Sequence, residues 1–326
     1  TTIAKAESYL LLKSGQSYSS SFPLYTTRQL DYATSSNGFN EYTNEDGVRE
    51  LASGGNFLTG SSIMVNGLGM VYESKMPLNY NMATKELSAV LNYGNSQYEL
   101  NSSIYFPRIT STTTTSDRND IIDAIKNSIM NYGGAYVGTQ GPGYSCSSSN
   151  NGTTFIRVDD GCTENAGHAM HVIGWDDNYS KYNFLNTPPK DGAWIVKNSW
   201  GSNWGDGGYF YASYYDTSIA YSYNAAFIIN NDTYDRIYQY DLGGTYSTLD
   251  YADTYANIYT AEKDELIAAV GTFFEKNATK YQFTISVNDI DVHTQKGISN
   301  VEGYETIKLT KLIQIKKGDV FRVTRS

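Results

Sequence analysis

The chain has 326 residues, long enough for one large domain or two smaller ones, and the sequence favours two. Its formal net charge of −10 argues against a basic nucleic-acid-binding surface, and no apolar run approaches the about 18 residues of a membrane span. The 30 Tyr, with many Ser, Thr, Asn and Gly and few Lys, are typical of microbial extracellular and cell-wall proteins. The sequence therefore predicts a secreted or cell-surface protein, with neither nucleic acid nor a membrane span.

The first half of the chain carries helical patterns. Apolar residues at helical spacing predict a helix over about 1–14, and small and apolar contact positions predict another over about 57–71. Asp117 is available to cap a third helix that runs to Met130 and carries Ile on one face. The segment 135–139 that follows is predicted to be a strand.

The rest of the chain alternates apolar and aromatic residues between Gly-containing turns, which is typical of strands. Strands are predicted over about 168–175, 193–198 and 208–215. Towards the C-terminus short β-like runs alternate with polar turns, which predicts a second, all-β domain of sandwich type. We therefore divide the chain into domains 1–230 and 231–326.

The chain has two cysteines, Cys146 and Cys162, which bracket the Ser-, Asn- and Gly-rich segment 147–160. A disulfide between them would stabilise the fold by roughly 3 kcal/mol and would fit an oxidising compartment. Two free thiols on a polar loop are the alternative, because spacing alone does not fix disulfide geometry.

The stretch 192–209 concentrates the candidate chemistry of the chain. It places the polar Asn198 between an apolar strand and an aromatic, glycine-rich turn, and His168 lies thirty residues upstream at the start of another strand. An imidazole that serves a thiol nucleophile with one nitrogen needs an oriented acceptor for the other, and an Asn side-chain oxygen supplies it. Trp200 would shield that hydrogen bond from water. We predict His168, Asn198 and Trp200 as catalytic-site residues.

These two motifs resemble those of papain-like cysteine peptidases. The matching residues are Lys197-Asn198-Ser199-Trp200-Gly201 with Trp204-Gly205 and Gly208-Tyr209, and Gly167-His168-Ala169-Met170 with Ile173-Gly174-Trp175. The resemblance implies an α+β fold, with a helical lobe and a β-barrel-like lobe, followed by the all-β sandwich. It also implies a polypeptide substrate, no cofactor needed for catalysis, and substrate contacts at the loop Gly54-Gly55-Asn56 and at Gly167.

The family's nucleophile is a Cys at the start of a helix, in a Gln-Gly-x-Cys-Gly-x-Cys-Trp-Ala-Phe segment, and Thr1 aligns about four residues beyond that Cys. Neither Cys146 nor Cys162 is a substitute, because both belong to the polar segment before His168. We therefore expect this sequence to be clipped at its N-terminus. Because it stops directly after a predicted strand, we expect its C-terminus to be incomplete as well. The 326 residues alone are expected to lack peptidase activity.

Two groups of residues could be interpreted as metal sites, but each has a simpler structural explanation. His171 could join His168 as a ligand, but residues i and i+3 of a strand point to opposite faces, which favours a structural His171. Asp176 and Asp177 could suggest calcium, but the pattern of ligands is thin and a turn is the better interpretation.

Three segments of the C-terminal domain, 238–241, 255–261 and 276–287, resemble the lectin-like β-sandwich that follows the protease domain in some clostridial cell-wall cysteine proteases. That resemblance implies a cell-wall setting, allows a calcium in this domain, and suggests a wall glycan or a surface-layer protein as partner. A purely structural β domain that packs on the protease is the alternative. No sugar-binding residue can be assigned from the sequence.

Three functions are consistent with these patterns. The first is an extracellular or wall-associated cysteine endopeptidase, with His168 as acid and base. The second is a non-catalytic adhesion or wall-binding protein on a peptidase scaffold, which predicts that no Cys is encoded before the first helix. The third is a glycan-binding protein, which predicts sugar binding by residues 232–326 alone.

Overall fold

The structure is a computed structural model, and it describes residues 1–17, 25, 57–76, 96–109, 112–139, 147–150, 154–157, 167–220, 224–231, 234–240 and 254–326. The described helices are α1 (Thr2–Ser14), α2 (Phe57–Val65) and α3 (Thr115–Tyr132). The strands of the first part are β1 (Glu99–Tyr105), β2 (Ala135–Thr139), β3 (Ser147–Asn150), β4 (Thr154–Arg157), β5 (His168–Asp176), β6 (Ala193–Lys197), β7 (Tyr209–Ser213) and β8 (Asn224–Asn230). The strands of the second part are β9 (Tyr255–Thr260), β10 (Glu265–Phe274), β11 (Thr279–Val287), β12 (Ile290–Ser299), β13 (Gly303–Ile315) and β14 (Val320–Arg325).

A ten-stranded sheet in the order β10-β13-β1-β8-β2-β5-β6-β7-β4-β3 forms the frame of the molecule. Successive residues of its strands face opposite cores, as a strand requires. Tyr136 of β2 packs with α1 and α2, whereas its neighbour Val137 packs in the cluster that contains Ile121 and Ile125 of α3. The helices therefore cover the sheet from two sides, with the strands β2 and β5 between them.

The C-terminal part is a β-sandwich, as the sequence predicted. Its second sheet has the order β12-β11-β14-β9, and side chains of both sheets share cores, such as Ile285 of β11 with Ile313 of β13. One feature was not predicted: β13 pairs with β1 in antiparallel register, Ser103 opposite Tyr304. The two parts of the chain are therefore joined by one continuous hydrogen-bonded sheet.

The predicted first helix is confirmed, and two other helices have different limits. The second helix ends at Val65 and not near residue 71, because Gly67 and Gly69 adopt left-handed backbone angles (φ 73° and 54°). The third helix begins earlier than Asp117. Thr114 is its N-cap, and Asp117 completes a capping box by accepting from the Thr114 backbone.

The strand predictions at 135–139, 168–175, 193–198 and 208–215 agree with β2, β5, β6 and β7 to within a few residues. The strands β1 and β8 were missed. Part of the Ser- and Asn-rich segment, expected to be a polar loop, forms the antiparallel hairpin β3–β4. The cysteines and the loop Gly54-Gly55-Asn56 lie outside the described residues. In the described part of the chain, no helix has the length and apolar character needed to cross a membrane.

Candidate active site

The antiparallel pair β5–β6 brings His168 and Asn198 together. Its register sets His171 opposite Lys197, so the first residue of β5 lies beside the residues that follow β6. The Nε2 atom of His168 lies 2.9 Å from Oδ1 of Asn198. Asn198 is buried, with only 7% of its surface exposed, and this protects the hydrogen bond from competing water.

The hydrogen bonds of Asn198 determine which nitrogen of His168 carries a proton. The backbone N–H of Ser199 donates to Asn198 Oδ1 over 2.8 Å, which identifies that atom as the oxygen of the amide. An amide oxygen only accepts, so His168 must donate from Nε2. Nδ1 of the neutral ring is then left as an acceptor for a thiol proton.

One tryptophan stacks on His168, and a second tryptophan packs against the first. The ring of Trp200 stacks on His168 with centroids 5.5 Å apart, and Trp204 meets Trp200 edge-on at 5.0 Å. The turn that carries them is tied back to Asn198, whose backbone N–H donates to Gly208 O. Gly208 has φ of 95° and lies against the Gly201 carbonyl, so a side chain there would be strained. The glycine-rich turn thus holds the aromatic cover in place.

The N-terminal end of α1 lies against the same region of β5. The hydroxyl of Thr1 donates to the carbonyl of Ala169 over 2.6 Å, directly beside His168. A helix N-terminus carries a partial positive charge and lowers the pKa of a thiol placed there. The N-terminal end of α1 therefore lies beside the residue that follows His168 in β5.

A second polar cluster, centred on the buried Lys5 and His171, underlies α1, and little in the sequence predicted it. His171 Nε2 lies 3.2 Å from the Ser8 hydroxyl, and Lys5 Nζ donates to the carbonyl of Tyr132 over 2.7 Å. Burial lowers the pKa of Lys5 to about 7. Burial is also the main cause, and the nearby charge of Lys5 the second, of a pKa of His171 well below its usual range. Both groups are thus kept neutral inside the fold at slightly alkaline pH. This agrees with the structural interpretation of His171.

The remaining predicted residues divide into two groups. Gly167 is exposed and immediately precedes β5, next to His168. The loop Gly54-Gly55-Asn56 and the possible disulfide Cys146–Cys162 fall outside the described residues, so both stay predictions. The described residues contain no group of three His, Cys, Asp or Glu side chains arranged to hold a metal ion, and the calcium also stays a prediction.

Comparison with known proteins gives two family matches. Residues 44–227 match the model described as papain family cysteine protease, and residues 237–326 match a lectin-like domain. Two solved structures resemble the whole chain, both of the clostridial cysteine protease Cwp84. One is a Cys-to-Ala variant after propeptide cleavage, with a TM-score of 0.75, 22% identity, and coverage of 100% of this chain and 77% of that chain.

The other contains the cysteine protease and lectin-like domains of Cwp84, described as a surface layer associated protein of Clostridium difficile. Its TM-score is 0.70 at 22% identity, and the match covers 100% of this chain and 68% of that chain. These likenesses confirm the fold class predicted from the sequence, a papain-like α+β fold followed by a lectin-like β domain.

Proposed function

Because the chain belongs to the papain family of cysteine proteases, we propose that it is an endopeptidase in which His168 and Asn198 serve a cysteine thiolate. The observation that carries this proposal is the 2.9 Å hydrogen bond between His168 Nε2 and Asn198 Oδ1, under the ring of Trp200. It leaves Nδ1 of His168 as the atom that exchanges a proton with the sulfur.

The proposed reaction has two halves. His168 Nδ1 takes the thiol proton, and the thiolate attacks the peptide carbonyl to form a C–S bond. His168 then gives the proton to the leaving amine as the C–N bond breaks, which leaves a thioester. In the second half His168 removes a proton from water, and the hydroxide attacks the thioester carbonyl. The C–S bond then breaks, His168 returns the proton to the sulfur, and the second peptide fragment leaves as a carboxylic acid. Asn198 keeps the ring oriented throughout.

We place the nucleophile beside the N-terminal end of α1, on residues that are not among these 326. The bond between Thr1 and Ala169 supports this position, because it lies next to His168. The family resemblance of the first helix supports it as well. Under this proposal the 326 residues alone do not hydrolyse peptides. The Gln of the family's Cys segment, which donates to the oxyanion hole, would lie on the same residues as the Cys.

The proposal also covers the substrate contacts and the location of the protein. We propose that Gly54, Gly55, Asn56 and Gly167 contact an extended polypeptide substrate, and that the protein acts at the cell surface or outside the cell. The likeness to a protein described as surface layer associated supports that location. A surface-layer protein or wall glycan as partner, and a calcium in the C-terminal domain, belong to the same proposal.

The test is hydrolysis of casein by the protein made from its whole natural coding sequence. We expect cleavage that a thiol-directed inhibitor stops, and loss of cleavage in His168→Ala. The matched control is His293→Ala, which removes a histidine of β12 in the sandwich and should leave the rate unchanged. Full activity in His168→Ala would refute the proposal. A coding sequence without a Cys before α1, together with no cleavage, would favour a non-catalytic wall-binding protein.

A further inference from the structure

A chain of buried hydrogen bonds runs from the loop after β7 to the end of β2. Three buried residues carry it, Asp216, Ser218 and Thr139. Oδ1 of Asp216 accepts from the Ser218 hydroxyl over 2.7 Å, and the oxygen of that hydroxyl lies 2.8 Å from Oγ1 of Thr139. The chain therefore links a buried carboxyl group to the last residue of β2.

The direction of these bonds follows from the chemistry of the groups. A hydroxyl has one proton, and Ser218 gives its proton to Asp216, so Thr139 is the donor in its contact with Ser218. The backbone N–H groups of Ser218 and Ile219 also donate to Asp216 Oδ1, over 2.7 and 3.1 Å. The turn at Asp216 therefore keeps two backbone bonds that do not depend on the Ser218 hydroxyl.

Thr139 is the strand partner of His168. The register of the β2–β5 ladder sets the two residues opposite each other, at the end of the ladder. Directly opposite residues of antiparallel strands have their side chains on the same face, with Cβ atoms about 5 Å apart. The ladder between β5 and β6 begins only at His171. Among the described strands, β2 is therefore the one that pairs with the backbone of His168.

The bond between Thr139 and Ser218 lies where β2 leaves its other ladder. On that side, the described ladder between β2 and β8 ends at Val137, opposite Asn224. Thr139 is two residues further along, at the end of the strand, where backbone pairing opens most easily. The Ser218 hydroxyl thus anchors the end of β2, and with it the backbone of His168.

We propose that Thr139 and Ser218 are positioning residues for His168, an inference that rests on the proposed function. Asn198 orients the imidazole, while the bond between Thr139 and Ser218 holds the strand end that carries the His168 backbone. Proton transfer depends steeply on the placement of the base, so a small displacement of His168 lowers kcat. Asp216 acts one step further away, because it takes the Ser218 proton and leaves that oxygen to accept from Thr139.

A purely structural role for the same bond predicts a different result. Its loss would then lower stability, while the folded molecules would keep both their rate and the state of His168. Thr154 gives the matched comparison, because it is also 2% exposed and donates to the carbonyl of Asn183 over 3.0 Å. It lies on β4, three strands away from β5 in the sheet.

The first measurement is steady-state hydrolysis of a peptide by the protein made from its whole coding sequence. Thr139→Val keeps the shape of the side chain but removes the donor, and we expect kcat to fall roughly 5–20-fold with KM little changed. Thr139→Ser restores the hydroxyl and should recover most of the rate. Ser218→Ala should match Thr139→Val, and the double variant should lose no more than either single one, because both remove the same bond. Thr154→Val should keep kcat within about 2-fold of the wild type.

The second measurement uses the 326-residue protein and needs no catalytic cysteine. The chain has three histidines, so the imidazole ¹⁵N signals can be assigned with His168→Ala and His293→Ala variants. We expect neutral His168 to be the Nε2–H tautomer in the wild type and in Thr154→Val. In Thr139→Val and Ser218→Ala we expect a mixture of tautomers, because the ring is no longer held against Asn198.

An unchanged kcat in an active enzyme, or an unchanged tautomer in both Thr139→Val and Ser218→Ala, overturns the proposal. Ser218→Ala keeps the test decisive if Thr139→Val does not fold, since the backbone bonds to Asp216 remain. If the whole protein cleaves no peptide, the proposed function fails, and the tautomer of His168 still decides whether Thr139 and Ser218 position it.

Discussion

Two histidines three residues apart on β5 have opposite surroundings. His168, at the start of the strand, is partly exposed, donates to Asn198 and stacks on Trp200. His171 is 3% exposed and lies against the Ser8 hydroxyl under α1. A side chain that can both accept and release protons needs an oriented partner and access to a substrate, and only His168 has both.

The surroundings of His171 show what a buried imidazole does to the fold. A Cβ at Gly134 would collide with the Nε2 atom of His171, so only a glycine at this position leaves room for the imidazole. Its pKa is depressed by burial and by Lys5, which favours the neutral ring. We infer that His171 and Lys5 contribute to packing beneath the site, while His168 carries the chemistry.

The largest expected effect separates these two histidines directly. In the protein made from its whole coding sequence, His168→Ala should lower kcat by at least about 10³-fold, because the proton acceptor is lost. It should leave the unfolding free energy nearly unchanged. His171→Ala should instead lower the unfolding free energy by roughly 2–4 kcal/mol, through the cavity left beneath α1, while the folded molecules keep their rate. Equal losses of kcat in both variants would break the comparison.

The next effect concerns the partner of His168. Asn198→Ala removes the acceptor of a hydrogen bond that becomes charge-assisted when the ring is protonated, worth about 1.5–3 kcal/mol. We expect kcat to fall by roughly 10–100-fold, with KM little changed. Steady-state kinetics on a peptide substrate measure both constants. A change confined to KM would mean that Asn198 binds substrate and does not orient the ring.

A stability measurement tests the cluster around His171. In the folded protein the pKa of Lys5 is lowered from 10.5 to about 7, so between these values the unfolded chain binds more protons than the native one. The unfolding free energy of the wild type should therefore rise from pH 7 to pH 10, by up to about 4 kcal/mol from this residue.

Lys5→Met removes that dependence. The variant should exceed the wild type in unfolding free energy most at or below pH 7, and the difference should shrink towards pH 10. Urea unfolding at several pH values gives the comparison, with Lys13→Met on the exposed end of α1 as control. A constant difference between variant and wild type across this range would show that Lys5 is charged in the folded state.

The smallest effect is expected for the aromatic cover. Trp200 is 46% exposed and touches His168 through ring stacking, which is worth about 0.5–1.5 kcal/mol. Trp200→Ala should lower kcat by roughly 3–10-fold, and Trp200→Phe should recover most of it. If both variants matched the wild type, shielding of the His168–Asn198 bond would not matter for catalysis.

The surroundings of His168 and those of His171 also differ in how far the sequence predicts them. The His168 and Asn198 motifs are local, and the strands that carry them have a regular apolar pattern, so the pair is predictable from the residues. Lys5 is not, because a lysine on an amphipathic helix is normally exposed, and its partner is a carbonyl 127 residues away. The same limit applies to the pairing of β1 with β13, since register between distant strands depends on the completed fold. The early end of α2 could have been predicted from Gly67 and Gly69.

The most direct test of the catalytic assignment is the distance from the reactive sulfur to His168. The protein made from its whole coding sequence would be alkylated by a thiol-directed peptide inhibitor and its crystal structure determined. We expect the inhibitor on a Cys just before α1, with its sulfur within about 4 Å of Nδ1 of His168 and the Nε2–Asn198 bond intact. An inhibitor bound to Cys146 or Cys162, or a sulfur closer to His171 than to His168, would contradict the account.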